Sequence, residues 1–417
     1  MIDKSFKDKI HQYFITKSDF LSVKDKMNER ELQQYILKVI REVAKKAEIP
    51  LALSDEERLL KELTNDFITL GPLRSLLEDK SITEIMVNGY SKVYVERNGH
   101  IELTDIVFEN EQQLMHTIQR IISPSGRRVD ESSPYVDFSL ADGSRVNIML
   151  PPISLVGPVV TIRKFSGDIN KIEDLINLKA LDQRMSDFLL GAIKARLNII
   201  FSGATGVGKT TTLNVLSRYI PSTERIITIE DTAELRLRQE HVVSLQNRSA
   251  NVEGKGEIGI RDIFKNSLRM CPDRIIVGEI RGAEALDMIQ AISSGHTGSL
   301  AIVHANSPFD VILRLETMIL MSGIELTLEN IRRQIANAID LVVHMEQGTD
   351  GVRRVTYITE VRDVKDGNIG LEDIVVFEQE GIGSDGKVIG NWVYKKTQPL
   401  FLRKFAKQSV KLPEGMF

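Results

Sequence analysis

Several things are scarce in this chain of 417 residues. It contains one cysteine, Cys271, and one tryptophan. A single cysteine excludes an internal disulfide and fits a reducing cytosol. No apolar run approaches the ~20 residues that span a bilayer. The first residues, with Asp3, Lys4, Lys7, Asp8 and Lys9, lack the apolar heart of a signal peptide. The expected location is therefore cytoplasmic, with any membrane role exercised through a partner. A basic surplus is also missing: the formal net charge is −4 and aromatic residues make up 6%. Composition thus gives no support to nucleic-acid binding, and no nucleic-acid partner is expected. Internal repeats and low-complexity stretches are absent, which excludes solenoids and fibrous arrays. What is there, 42% hydrophobic and 27% charged residues, is ordinary for globular protein, at a length that suits two or three domains.

One stretch organises the rest. Gly203-Ala204-Thr205-Gly206-Val207-Gly208-Lys209-Thr210 reads G-x-x-x-x-G-K-T, and it follows the apolar run Leu197 to Phe201. Glycines let a tight turn aim successive backbone N–H groups inward, and the helix that follows adds its positive N-terminal end. Lys209 can reach the β- and γ-phosphates, and the Thr210 hydroxyl can ligate Mg²⁺. Thr211 opens the helix-compatible run to Tyr219. A strand before and a helix after make this a P-loop, and ATP with Mg²⁺ the expected cofactors.

Three regions are expected around it. Residues 1–65 hold few glycines or prolines and read as a helical N-terminal segment, with Leu32, Tyr35, Ile36, Val39 and Ile40 on one face. Its 12 Lys and Arg against 11 Asp and Glu over residues 1–60 exclude a polybasic membrane-surface helix. A bundle packed on the rest and a partner-docking appendage both fit. Residues 66–168 read as an α+β domain. Strands are expected over Ile82 to Val87, Val93 to Val95 and Ile101 to Phe108, joined by Asn88-Gly89 and Asn98-Gly99 turns. A helix over Glu111 to Ile122 follows, then strands over Val136 to Leu140, Val146 to Leu150 and Val159 to Phe165. A linker is expected near Gly167 to Asn170. Residues 169–417 alternate strands and helices, as a largely parallel sheet does, and end in a β-rich tail from Gly351.

Chemistry-bearing residues recur where expected strands end, which is where open α/β sheets bind ligands. Glu279 closes Arg274 to Gly278 and is suited to orienting a water for phosphoryl transfer. Glu230 and Glu234, in Glu230-Asp231-Thr232-Ala233-Glu234, suit a hydrated Mg²⁺, which needs few direct ligands; solvated loop acids fit the same run. His296 and His304 bracket the strand Ser299 to Val303, where a packed or surface histidine is the plainer alternative. Zinc does not fit this spacing. From spacing alone, Arg145 and Arg163 read as strand salt-bridge partners, although arginines can also stabilise a triphosphate. Arg281 is open to both readings.

Together these motifs resemble the Walker A, Asp box, Walker B and His box of the type II/IV secretion ATPases. The resemblance narrows to the CpaF-like ATPases of tight-adherence (Flp) pili through Gly126 to Pro134, Asp142 to Asn147, Val160 to Phe165, Arg314 to Met318 and the tail near Leu412-Pro413. It covers residue 66 to the end. It implies an α/β fold with a RecA-like P-loop motor domain, an N-terminal domain that swings over it, ATP between the two, and a homo-hexameric ring working on a polytopic inner-membrane platform protein. By motif position it implies Glu279 as the catalytic glutamate, His304 as the γ-phosphate sensor, and Arg145 and Arg163 as phosphate-contacting arginines. Cys271 and Thr297 depart from the family's usual arginine and acidic residue. A nucleic-acid translocase of the same build, and a nucleotide-binding scaffold without turnover, are the alternatives.

Overall fold

The computed structural model describes residues 29–412 apart from 48, 50–51, 53–54, 58, 61–70, 98, 141, 165–168 and 249–254. The expectations for residues 1–28, for a boundary at Asp66, for Gly167 in the linker and for Pro413 lie outside the described residues. The chain divides into two compact units, Met1–Phe165 and Ser166–Phe417.

The first unit contains α1 (Glu29–Lys46), α2 (Arg74–Glu78), β1 (Ile82–Asn88), β2 (Val93–Arg97), β3 (His100–Leu103), α3 (Glu111–Ile122), β4 (Tyr135–Ser139), β5 (Arg145–Met149) and β6 (Val159–Arg163). Ile36, Val39 and Ile40 of α1 are buried, as the sequence periodicity requires. The strands form an antiparallel sheet in the order β3-β2-β1-β6-β5-β4. Alternation sends Ile85, Val87, Val146, Ile148, Val160 and Ile162 into one core with Leu114, Ile118 and Ile121 of α3. The Asn110 side chain caps α3 by accepting from the Gln113 N–H. The third strand is shorter than Ile101 to Phe108. Its four residues are exposed at the sheet edge, and beyond Thr104 the chain leaves the ladder: the Phe108 N–H bonds the Tyr90 carbonyl and its ring enters the core.

The second unit contains α4 (Ile172–Asn177), α5 (Gln183–Lys194), β7 (Ile199–Gly203), α6 (Lys209–Ser217), β8 (Ile226–Glu230), β9 (Val242–Gln246), α7 (Ile260–Ser267), β10 (Arg274–Val277), α8 (Glu284–Ser293) and β11 (Leu300–Val303). It continues with α9 (Pro308–Leu320), α10 (Leu328–Ala338), β12 (Leu341–Gln347), β13 (Arg353–Lys365), β14 (Asn368–Ile382), β15 (Val388–Tyr394) and α11 (Leu402–Lys407). The nine-stranded sheet runs β15-β14-β13-β12-β7-β11-β10-β8-β9. From β12 to β9 the pairs are parallel, and β12 to β15 form an antiparallel meander.

The strands of the parallel part other than the edge strand β9 are buried on both faces. In β7, Ile199 and Phe201 join the core of α5, α6 and α11, while Ile200 joins that of α7 to α10. This is why the central strands read as continuous apolar runs rather than alternating ones. The edge strand β9, half-buried in part, has a shorter run, Val242-Val243, broken by Ser244, and was not among the expected strands. The tail, expected to be β-rich, also ends in α11, whose Phe405 stacks on Phe188 of α5 at 6.1 Å. Among the described residues, no helix is long and apolar enough to cross a membrane.

Candidate functional site

The parallel strands share one direction, so Gly203, Glu230, Gly278 and Glu279, and His304 all emerge along the same edge of the sheet. The strand order sets the geometry there. β11 lies between β7 and β10, so His304, just past β11, stands between the loop after β7 and Glu279 after β10.

Residues 203–208 turn tightly into α6, with left-handed φ at Gly206 and at Gly208, which occupies the helix N-cap. Gly203 is fixed by a neighbour as well as by its own backbone. Its φ is +139°, and a Cβ there would sit 2.2 Å from the Met345 carbonyl oxygen of β12, so no larger residue fits. The Lys209 side chain is buried, and its ammonium donates to the carbonyls of Gly203 (2.9 Å) and Ala204 (2.5 Å).

Lys209 Nζ also lies 3.3 Å from His304 Nδ1, and His304 Nε2 lies 3.1 Å from Glu279 Oε1. An ammonium can only donate. Nδ1 must therefore accept from Lys209, which leaves the Nε2–H to donate to Glu279. The other oxygen of Glu279 accepts from Arg281 at 2.8 Å. Burial pushes the Glu279 carboxyl up, but hydrogen bonds from His304 and Arg281 outweigh it and hold the group down at about 2. An ionised carboxylate is thus joined through an imidazole to Lys209.

The acids after β8 divide in role. Glu230 is buried, and its Oε1 accepts from the backbone N–H groups of Glu234 and Leu235, both at 2.8 Å. It therefore shapes the loop that carries Glu234. The Glu234 Oε2 in turn accepts from the Thr210 hydroxyl at 3.3 Å, which places two hard oxygen donors together at the start of α6. Such a pair matches what Mg²⁺ takes from protein when it keeps most of its waters. Asp231 accepts from the Asn247 side chain and lies 3.7 Å from Arg281.

In the first unit, Arg145 and Arg163 face each other across the β5–β6 pair, and Glu84 of β1 completes the row at 3.4 Å from Arg163. All three are half-buried on the sheet face away from the core. The salt bridge expected from strand spacing exists for Arg163. His296 sits at the end of α8 with Nδ1 3.2 Å from the Ala291 carbonyl oxygen, and takes no part in the Lys209–His304–Glu279 contacts.

Three residues beside β7 and the loop that follows it escaped the sequence reading: His344, Met345 and Arg353. His344 on β12 is fully buried, with Nδ1 2.8 Å from Ser202 Oγ of β7; burial pushes its pKa down. Met345 and Arg353 flank Gly208 with Cε and Cδ, at 3.6 and 3.8 Å from where its Cβ would be. The apolar run Leu341 to Val343 was the available signal for β12, but its place beside β7 depends on pairing across the chain.

Comparison with known proteins agrees with this architecture. Residues 68–352 match the model of a family described as "Type II/IV secretion system protein". The chain is 33% identical over 338 residues to the type IV secretion system protein VirB11 of Brucella suis, covering 73% of this chain and 92% of that one. It is 28% identical over 334 residues to the conjugal transfer protein TrbB of Rhizobium radiobacter, covering 79% and 98%. The structure of the pilus retraction motor PilT with bound ADP is similar in fold, with a TM-score of 0.50 at 22% identity over 65% of this chain and 76% of that one. The fold is α/β with a RecA-like motor.

Proposed function

Because this chain belongs to the type II/IV secretion system protein family, we propose that it is a Mg²⁺-dependent ATP hydrolase that powers a secretion or pilus machine, of the CpaF-like, Flp-pilus type. The observation that carries the reading is the continuous contact from Lys209 through His304 to Glu279. It supplies a cation for the β- and γ-phosphates, a group able to respond to the γ-phosphate, and a carboxylate for the attacking water. The nine residues Gly203 to Thr211 form the cradle. A bound phosphate would exchange the carbonyl contacts of Lys209 for its own oxygens.

Mg²⁺, when bound, neutralises charge on the phosphates. Thr210 and Glu234 would hold it, with Glu230 fixing the loop between them. Arg145 and Arg163 are assigned to the phosphates on the strength of the family resemblance alone.

The protein would act as a homo-hexamer in the cytoplasm, at the inner face of the membrane, on a polytopic platform protein. The test is ATPase rate per chain against protein concentration, with light scattering in Mg·ATP. A rate that climbs as hexamers form supports the ring. A monomer at full rate contradicts it. Binding with no turnover at any concentration contradicts the hydrolase.

A further inference from the structure

The β12–β13 hairpin places two consecutive arginines in opposite situations. Arg354 is buried and forms a two-point ion pair with Asp350, at 2.6 and 2.9 Å. The Asp350 carboxylate also accepts from the backbone N–H groups of Val352 and Val388. The turn between β12 and β13 is therefore held from inside. Successive residues of a strand point to opposite faces, so Arg353 leaves that network. It is half-buried, and its side chain makes no hydrogen bond or ion pair with any of the described residues. Its stem runs beside Gly208 of the loop, with Cδ 3.8 Å from where a Cβ there would lie.

The flank on which this happens is informative. Glu279 and His304, which mark the γ-phosphate end, follow β10 and β11 on one side of β7. β12 lies on the other side, parallel to β7 and in register from Leu341 opposite Ile199 to Met345 opposite Gly203. Its carboxyl end therefore reaches the phosphate loop from the side away from the γ-phosphate. Arg353 pairs with Gln347 across the hairpin at that end. A guanidinium on a half-buried stem, with no anion of its own, is poised for charge-assisted hydrogen bonds to phosphate oxygens.

We propose that Arg353 is a nucleotide-binding residue supplied by the β12–β13 hairpin, and that it holds the nucleoside-proximal phosphates of the nucleotide on the P-loop. The inference rests on the reading of Gly203 to Thr210 as a nucleotide site. It adds a contact made on the far side of the loop from the hydrolytic residues. Because the contact is to phosphates common to ATP and ADP, it strengthens binding of both nucleotides equally and leaves the chemical step alone.

The test is displacement of a fluorescent ADP analogue from the full chain by ADP and by ATP, with steady-state hydrolysis measured alongside. Arg353→Met keeps an unbranched stem beside Gly208 and removes the charge. It is expected to weaken ADP and ATP to the same degree, roughly tenfold or more, raise KM and leave kcat within about twofold. Arg353→Lys is expected to recover part of the affinity, since a point charge replaces the fork. Unchanged ADP affinity in Arg353→Met overturns the proposal. So does a loss confined to ATP, which would put the arginine at the γ-phosphate end. Lys209→Ala separates the two levels of the argument. If that variant still binds ADP normally, the P-loop reading fails; if it loses ADP while Arg353→Met does not, only the role of Arg353 fails.

Discussion

A carboxylate held at about 2 by His304 and Arg281 is a poor proton acceptor near neutrality. Glu279 is thereby suited to orienting a water through its oxygens rather than to removing a proton outright. Hydrolysis is expected to show no inflection attributable to Glu279 between about pH 5 and 8; one that disappears in Glu279→Gln would contradict this. The same shift has a sign for stability. The folded value lies below the ordinary 4.5, so the contribution is complete above about 4.5 and is lost as pH falls towards 2. Urea unfolding at pH 7 and pH 4 is expected to show a smaller drop for Glu279→Gln than for the wild type, and equal drops would count against the contacts. Gly278 makes a separate residue-scale case. A Cβ there would sit 2.8 Å from Glu230 Cγ, so Gly278→Ala must displace the side chain that holds the Glu234 loop. The expected loss is about 1–3 kcal/mol by urea unfolding; a loss under about 0.5 kcal/mol would mean that Glu230 has room to move.

At the scale of elements, the legible parts were those whose signals are local. The start of α9 is set by such local chemistry, with Pro308 in its first turn and the Ser307 side chain accepting from the Asp310 N–H. Ser307→Ala is expected to cost about 1 kcal/mol, measured by thermal unfolding; an unchanged midpoint would show that Pro308 alone sets the start. The P-loop was legible for the same reason: eight consecutive residues carry it. Glu279 and His304 could be picked as strand-end residues, but not as partners, because their contact depends on β11 lying between β7 and β10. Ser202 and His344 lie 142 residues apart in sequence, and no local pattern joins them. The strand expected over Ile101 to Phe108 failed differently. Of its apolar residues, Ile101, Leu103 and Val107 stay exposed, and Phe108 reaches the core from outside the ladder.

Over the whole molecule, each unit has its own core. In Ser166–Phe417 two apolar layers enclose the parallel sheet, and the P-loop, His304, Glu279 and Arg353 are all carried on it. A fragment of these residues is expected to unfold cooperatively and to bind ADP through Lys209. Failure to bind ADP while folded would contradict a binding site carried on this unit. Hydrolysis is a stricter claim than binding, and the family membership makes it the central one. The most direct test measures ATP turnover and bound nucleotide on the same samples of full-length wild type and Glu279→Gln. ATP is expected to bind Glu279→Gln with near wild-type affinity while turnover falls at least a hundredfold, on the order of the loss of an electrostatic group. Near-normal turnover in that variant would contradict it, and the carboxylate held by His304 and Arg281 would not be the group that directs the water.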